Sequence, residues 1–545
     1  MKVKRPYGST FLLSIALSFL AQSLWGQSEA APRHVGVPQG WSDRSIVFSL
    51  EGLAKYPNLT DQEPRIRHQI MQRFRALNPE FFRDAMGPGA GPNNSSQGRD
   101  WNVNFVRGRV AANMYPAKFS FDPGAPPDCI NDYVVFGLNV VGAKGKQANL
   151  VAFNNLYSGP GGICGAAPTV LFAYDVTTQS GGKVNLSPVI SLDGTKIAFV
   201  ESATGQAVFH VLTWTAGEGG ITSAFVPNNM TSLTFSPTAT STTSAPWIDY
   251  RGDVAYLGAD GGLMYKINGV FNSTPTLAGG PWPVTVSGGH KITPPVLDSQ
   301  LGVLMVGSAN GNLYQVNSTT GAVAVTVVGA AGKTSPGIIP PPVVDITNGT
   351  TFVVDANDGT SAVLVEFDTA ALGRPLAKAR IGTGANNPSK TAVTLGQPAF
   401  TNDYYNDPSS GQVRLCGTGA ADTTPWQYAF AFTGRTMHTT PAFSQQLLTS
   451  PAAVCTNWTE FYNPNINGGT DFFFFGLDQD CFGTGTDGCV VAATAEGSPL
   501  TTADVAGGPS GIVIDNYSTA GQASSLYLSS EAGSTGYKFT QNGLQ

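Results

Sequence analysis

The chain has 545 residues, enough for one large repeat domain or two to four ordinary ones. Charged residues make up 12% of it, about half the ~25% of an average soluble domain, and its 65 glycines lie well above the usual ~7%. With abundant Thr, Ser, Val and aromatic residues, this balance describes an all-β chain rather than an α/β enzyme. The net charge of −6 leaves no basic footprint for nucleic acid, and no sustained Lys/Arg cluster would favour an anionic membrane surface.

In chain order, the first element is an address. Lys2, Lys4 and Arg5 form a positive n-region, Phe11 to Leu24 is apolar, and small residues including Gly26, Ser28 and Ala30 follow. Residues 1–30 are therefore expected to be a signal peptide, because the apolar run is too short to span ~30 Å of hydrocarbon. The alternative is an uncleaved anchor. No other segment reads as a membrane span.

Residues 31–99 read as a helical extension and linker. Asp61-Gln62-Glu63-Pro64 opens a helix, and Ile66, Ile70, Phe74 and Leu77 recur at helical spacing. Arg65, Arg67, Arg73 and Arg75 decorate it, as a packed helix with a solvated face or as a basic surface for an acidic partner or membrane. Gly87 to Gly98 has the composition of a flexible linker, and Trp101 to Val106 looks like a strand.

From there to the end, one phrase repeats: a Pro after a small residue, an apolar pair, an Asp or Gly turn, then apolar strands separated by Gly turns. It reads Ser187-Pro188-Val189-Ile190 with Ile197 to Val200, Ala245-Pro246-Trp247-Ile248-Asp249 with Val254 to Gly258, and Pro295-Val296-Leu297-Asp298 with Val303 to Gly307. Taking Pro116, Pro188, Pro246, Pro295, Pro342, Pro398, Pro441 and Pro509 as openers, the spacings run from 43 to 72 residues. Repeats of this period made of short strands mark a β-propeller. A recurrent Pro suits the innermost strand of each blade, an edge where a missing N–H breaks no ladder bond. Residues 100–545 are thus expected to form a propeller of seven to eight four-stranded blades, eight being favoured. The last unit lacks a fourth strand, so a strand from 100–112 is expected beside Gly536 to Thr540, closing the ring.

Ser187-Pro188-Val189-Ile190-Ser191-Leu192-Asp193-Gly194-Thr195-Lys196-Ile197-Ala198-Phe199 resembles the repeat of TolB-type (WD40-like) propellers. Asn310-Gly311-Asn312-Leu313-Tyr314-Gln315-Val316 through Gly321 resembles the quinoprotein-like (PQQ-type) repeat. These resemblances concern repeat units and imply the fold, not an activity. Quinoprotein dehydrogenases add a quinone, a calcium ion and often a disulfide between adjacent cysteines. This chain has no Cys-Cys pair and lacks that family's regularly placed Trp, so no cofactor is expected.

Cys129, Cys164, Cys416, Cys455, Cys481 and Cys489 are expected to form disulfides; local pairing is one of fifteen connectivities. The five histidines are scattered, with His210 inside a strand and His438 near a presumed inner-strand start. No G-x-S-x-G elbow is present. Asp355 and Asp358, and Asp478 and Asp480, could give oxygen ligands to a structural calcium, though such groups also build turns. The expectation is a secreted, periplasmic or cell-envelope monomer, a non-catalytic binding or scaffold protein for a protein or glycan ligand. The alternative is an extracellular carbohydrate-active or quinone-dependent enzyme.

Overall fold

The computed structural model describes residues 38–49, 51, 97–121, 127–330, 337–359, 361–382, 395–417, 424–447, 454–463, 469–479, 481, 487–495, 497, 501–516 and 524–541. Eight antiparallel sheets follow one another along the chain. From the inside outward, blade 1 is Ala117–Ser120, Tyr133–Gly137, Leu150–Asn154 and Thr169–Tyr174, and blade 2 is Val189–Ile190, Lys196–Ala203, Gln206–Thr213 and Met230–Ser236. Blade 3 is Trp247–Asp249, Val254–Gly258 and Leu263–Asn268, its fourth position split between Thr276–Leu277 and Val284–Thr285. Blade 4 is Val296–Asp298, Val303–Gly307, Asn312–Asn317 and Val323–Val327, and blade 5 is Val343–Asp345, Thr350–Asp355, Ala362–Asp368 and Pro375–Ile381. Blade 6 is Ala399–Phe400, Gln412–Gly417 and Trp426–Thr433, which pairs both Thr436–Met437 and Phe443–Gln446. Blade 7 is Thr459–Asn463, Thr470–Leu477, Asp487–Thr494 and Thr501–Ala506.

Blade 8 is built from both ends of the chain. Val513–Asn516, Ser524–Ser529 and Thr535–Gln541 are its first three strands, and Gln97–Asn104 is the fourth. Trp101 lies opposite Lys538 and Asn104 opposite Thr535. The inner strands of blades 8 and 1 touch, which closes an eight-bladed ring. At this seam the Lys118 ammonium is buried 2.8 Å from Asp515 and 4.0 Å from Asp132, and Tyr157 donates to one of the two carboxylates at 2.7 and 2.9 Å.

The recurring Asp of the repeat ends the inner strand and organises the turn beyond it. Asp298 Oδ1 accepts the N–H groups of Gln300 and Leu301, and Asp345 Oδ1 those of Thr347 and Asn348. Six inner strands begin directly after the expected Pro. Pro441 does not open a blade: it precedes the outermost strand of blade 6, and the inner strand of blade 7 follows Trp458 instead. Innermost and outermost strands are both edges, so Pro is tolerated at either.

Residues 38–49 correct a further expectation. Expected as part of a helical extension, they form a 3-10 turn and a short strand and are buried in the central channel. Gln39 bridges Val344 of blade 5 in antiparallel fashion, Trp41–Arg44 makes one 3-10 turn, and Ile46–Phe48 runs parallel to Ala117–Ser120. All inner strands run away from the face that carries the inter-blade loops. The segment therefore rises toward that face, turns at Trp41–Arg44 and descends again. Trp41 Nε1 donates to Pro246 O at 3.2 Å, and Asp43 caps the turn by accepting the Gly40 N–H at 2.9 Å. The helix expected from Asp61 onward lies outside the described residues, as do residues 1–30. Among the described residues no helix is long and apolar enough to cross a membrane.

Candidate functional site

Each antiparallel meander sends two sets of connections to the same face: the inter-blade loops and the hairpins between second and third strands. Two concavities lined by described residues lie there. The channel mouth is small, about 100 Å³, and is rimmed by inter-blade loops such as Asn185–Ser187, Thr242–Ala245 and Ile339–Pro341, with Trp41 as its floor. Beside it, above blades 7, 8 and 1, an open cleft of about 570 Å³ is lined by Arg109, Val110, Ala111, Ala112, Asn139, Asp478, Gln479, Gly507, Glu531 and Ala532. Ala112 borders both.

Local geometry builds this cleft. After the closing strand, the chain crosses to blade 1, and the Arg109 carbonyl accepts the Asn139 N–H at 2.7 Å, leaving the guanidinium exposed. Asn113 takes a positive φ of 60° and donates its N–H to Glu531 Oε1 at 2.8 Å. Gly508 has φ +81°, and a Cβ there would come within 2.7 Å of Asp478 Cα, so the floor closes only around glycine. Asp478 is fixed through Oδ1, which accepts the Val454 N–H at 2.6 Å.

Burial raises the Glu531 carboxyl to about 7, the Asn113 N–H opposes the shift, and nearby Asp478 adds to it. The cleft thus sets an exposed cation beside two carboxyl groups, one of them raised by burial. A volume of this size suits a small ligand or a projecting loop. Among the described residues its lining contains no His, Ser, Thr or Cys.

The aspartates singled out in the sequence scatter. Asp355 and Asp358 sit in the blade 5 hairpin as turn formers: Asp355 Oδ1 accepts the Asn357 N–H at 2.7 Å and Asp358 Oδ1 the Ser361 N–H at 2.8 Å. Lys378 lies 3.7 Å from Asp358. Asp478 lines the cleft on another blade, and Asp480 lies outside the described residues. Among the described residues, no group of three or more His, Cys, Asp or Glu could hold a metal ion. His438 lies on an exposed hairpin of blade 6, bonded to Thr433 at 2.7 Å, away from the channel mouth. His210 is buried between Glu201 at 3.0 Å and Ser232 at 2.9 Å.

The cysteines join as sequence neighbours: Cys129–Cys164, Cys416–Cys455 and Cys481–Cys489. The second ties blade 6 to the loop entering blade 7, and the third closes the blade 7 hairpin that begins at Asp478. Three disulfides fit an oxidising, extracytoplasmic compartment. Arg109, Asn139 and Glu531 were not foreseen; each is an ordinary loop residue without a local pattern to mark it.

The chain is similar in fold to known propellers. BamB from Moraxella catarrhalis matches at 13% identity over 82% of this chain and 97% of its own, with a TM-score of 0.46. Sqt1 from Saccharomyces cerevisiae matches at 10% identity over 82% of this chain and 99% of its own, with a TM-score of 0.47. The dihydro-heme d1 dehydrogenase NirN matches at 10% identity over 72% of this chain and 67% of its own, with a TM-score of 0.41. No family model matches the chain, and no curated protein does.

Proposed function

We propose that this protein is exported and acts as a non-catalytic binding propeller, taking a protein loop or a glycan in the cleft above blades 7, 8 and 1. The observation that carries this reading is the filled channel. Residues 38–49 occupy the axis of the ring, which leaves the off-axis cleft as an open concavity of the loop face. The basic and apolar N-terminal stretch and the three disulfides support export. A cleft lined by Arg, Asn, Gln and carboxylates, with no hydroxyl or thiol nucleophile among the described residues, favours recognition over acyl transfer.

The test is a glycan array and an extracellular-protein array probed with the wild type and with Ala532→Trp, which fills the exposed rim. Ligands retained by the wild type should be lost with the variant. Hits that the variant keeps would place recognition elsewhere and overturn the assignment.

One observation favours a second reading. Glu531, raised to about 7, shares the cleft with Asp478, the pairing of a protonated acid with a carboxylate that glycoside hydrolysis uses. Release of reducing ends from polysaccharides, abolished by Glu531→Gln, would establish it; no release by the wild type excludes it.

A further inference from the structure

The outer edges of the blades meet solvent in different ways. In blade 1 the edge is covered, because Phe172 bridges Glu218 and Tyr174 bridges Phe225. Blade 2 has a register break between Thr234 and Ser236, and blade 3 ends in two short pieces. Blade 5 carries Pro375, Lys378 and Arg380 with a register break in the pairing. Blade 6 ends in the short, polar Phe443–Gln446. Blade 7 has Asp504 paired with Arg99 at 3.5 Å, and blade 8 has Arg99, Asp100 and a bulge. These are devices by which sheet edges resist pairing with another chain.

Among the described residues, blade 4 has none of them. Its outer strand is Val323-Ala324-Val325-Thr326-Val327, without charge, proline or register break. Val323, Val325 and Val327 are 39%, 56% and 47% exposed. The Val328 N–H donates inward to Gly311 O, and the Ala322 carbonyl accepts inward from the Asn317 N–H. By the two-residue repeat of a strand, the amides and carbonyls of Val323, Val325 and Val327 point away from the blade.

We propose that this edge is a self-association site, at which a second copy of the chain adds its own blade 4 strand across a two-fold axis. The strand is nearly palindromic about Val325. Antiparallel pairing sets Val325 of each copy opposite Val325 of the other, and Val323 opposite Val327, so valine meets valine at all three outward positions. Each outward amide finds a carbonyl, and no like charges oppose one another. Blade 4 lies across the ring from blade 8, so the pairing leaves the candidate cleft open on both copies. Two five-residue strands give a contact below the standard interface size, so the dimer should prevail on the order of 100 µM and dissociate on the order of 1 µM. This extends the monomer expected from the sequence into a concentration-dependent equilibrium.

Sedimentation velocity on the exported full chain tests it. The wild type should pass from monomer to dimer over that range. Val325→Lys and Val325→Glu should each raise the dissociation constant more than tenfold, with thermal melting unchanged. An equimolar mixture of the two should dimerise again, because lysine then faces glutamate. If Val325→Lys does not fold, Val323→Lys plus Val327→Lys, mixed with Val323→Glu plus Val327→Glu, serves as the equivalent charge pair. A wild type that stays monomeric throughout, a dimer indifferent to these substitutions, or a mixture that stays monomeric each overturns the proposal.

Discussion

The Arg44 guanidinium lies 3.8 Å from the centre of the Trp247 ring, and both side chains are buried inside the central channel. Trp247 belongs to the inner strand of blade 3 and Arg44 to the segment that fills the axis, so one cation–π contact ties the two together. A desolvated contact of this kind contributes about 2 kcal/mol. Arg44→Ala should lower the unfolding free energy by about 2–3 kcal/mol, and Arg44→Lys by less, since it keeps the charge but loses the flat stacking surface. Urea unfolding midpoints read both. Equal midpoints for Arg44→Ala and the wild type would mean that the contact contributes nothing.

The same segment predicts the outcome of truncation. From sequence alone, removing residues 31–95 should be harmless, because they read as an extension and a linker. With Trp41, Ile46 and Phe48 buried in the channel and Ile46–Phe48 paired to blade 1, that deletion should lower the thermal midpoint. Deletion to residue 112 also removes the fourth strand of blade 8 and should abolish cooperative folding. Comparing the two melting curves separates channel filling from ring closure.

How far each feature was legible follows from where its information lies. The ring was legible because the phrase is local: Pro246-Trp247-Ile248-Asp249 contains its edge residue, its strand and its turn in four positions. The closing strand was legible because blade 8 was one strand short. Pro441 misled because an outer edge tolerates Pro as well as an inner one does. The channel segment escaped because Gln39-Gly40-Trp41-Ser42-Asp43-Arg44 has neither strand nor helix periodicity; its burial is decided by Pro246, Val344 and Lys118, each far off in sequence. The cleft escaped for the same reason, since Arg109 and Glu531 come to line one cleft only after the ring closes.

Ring closure predicts a costly position at Trp101. Its indole is buried, donates to Leu156 O of blade 1 at 2.9 Å, and lies 6.2 Å from the Tyr527 ring. Trp101→Ala should cost about 3–5 kcal/mol by removing a buried aromatic. Trp101→Phe should cost less, since it fills most of the space and forfeits chiefly the hydrogen bond, about 1 kcal/mol. Denaturant unfolding that ranks the two in the opposite order would contradict this account of the seam.

The buried pair at the seam calls for a double-mutant cycle. Lys118 and Asp515 are both shielded from solvent, and burial raises the Asp515 carboxyl while Lys118 opposes that shift. Lys118→Met alone strands Asp515 beside Asp132 and should cost about 3–5 kcal/mol. Asp515→Leu in the same chain removes the stranded charge, so the double variant should recover a large part of that loss. Additive losses would show that the pair is not coupled.

The last prediction concerns pH. Burial raises Glu531, Glu366 and Asp355 each to about 7 and raises Asp471 as well, with backbone N–H groups from Asn113, Met437, Asn357 and Asn402 opposing the shift. In the unfolded chain such carboxyls titrate near ~4. Between these values the folded protein holds more protons than the unfolded one, so stability must fall as pH rises. The contribution is complete below about pH 4 and lost above about pH 7. Glu201 acts in the opposite sense: burial disfavours its charge, but hydrogen bonds from His210 and Thr178 outweigh that and hold its pKa low. Its contribution is lost only as pH falls through that lowered value, outside this window. The thermal midpoint should therefore be higher at pH 5 than at pH 8. Glu366→Gln should narrow the difference by raising stability at pH 8 while leaving pH 5 nearly unchanged. A midpoint that rises from pH 5 to pH 8 in the wild type would refute the sign of the effect, and a Glu366→Gln profile parallel to the wild type would remove Glu366 from its cause.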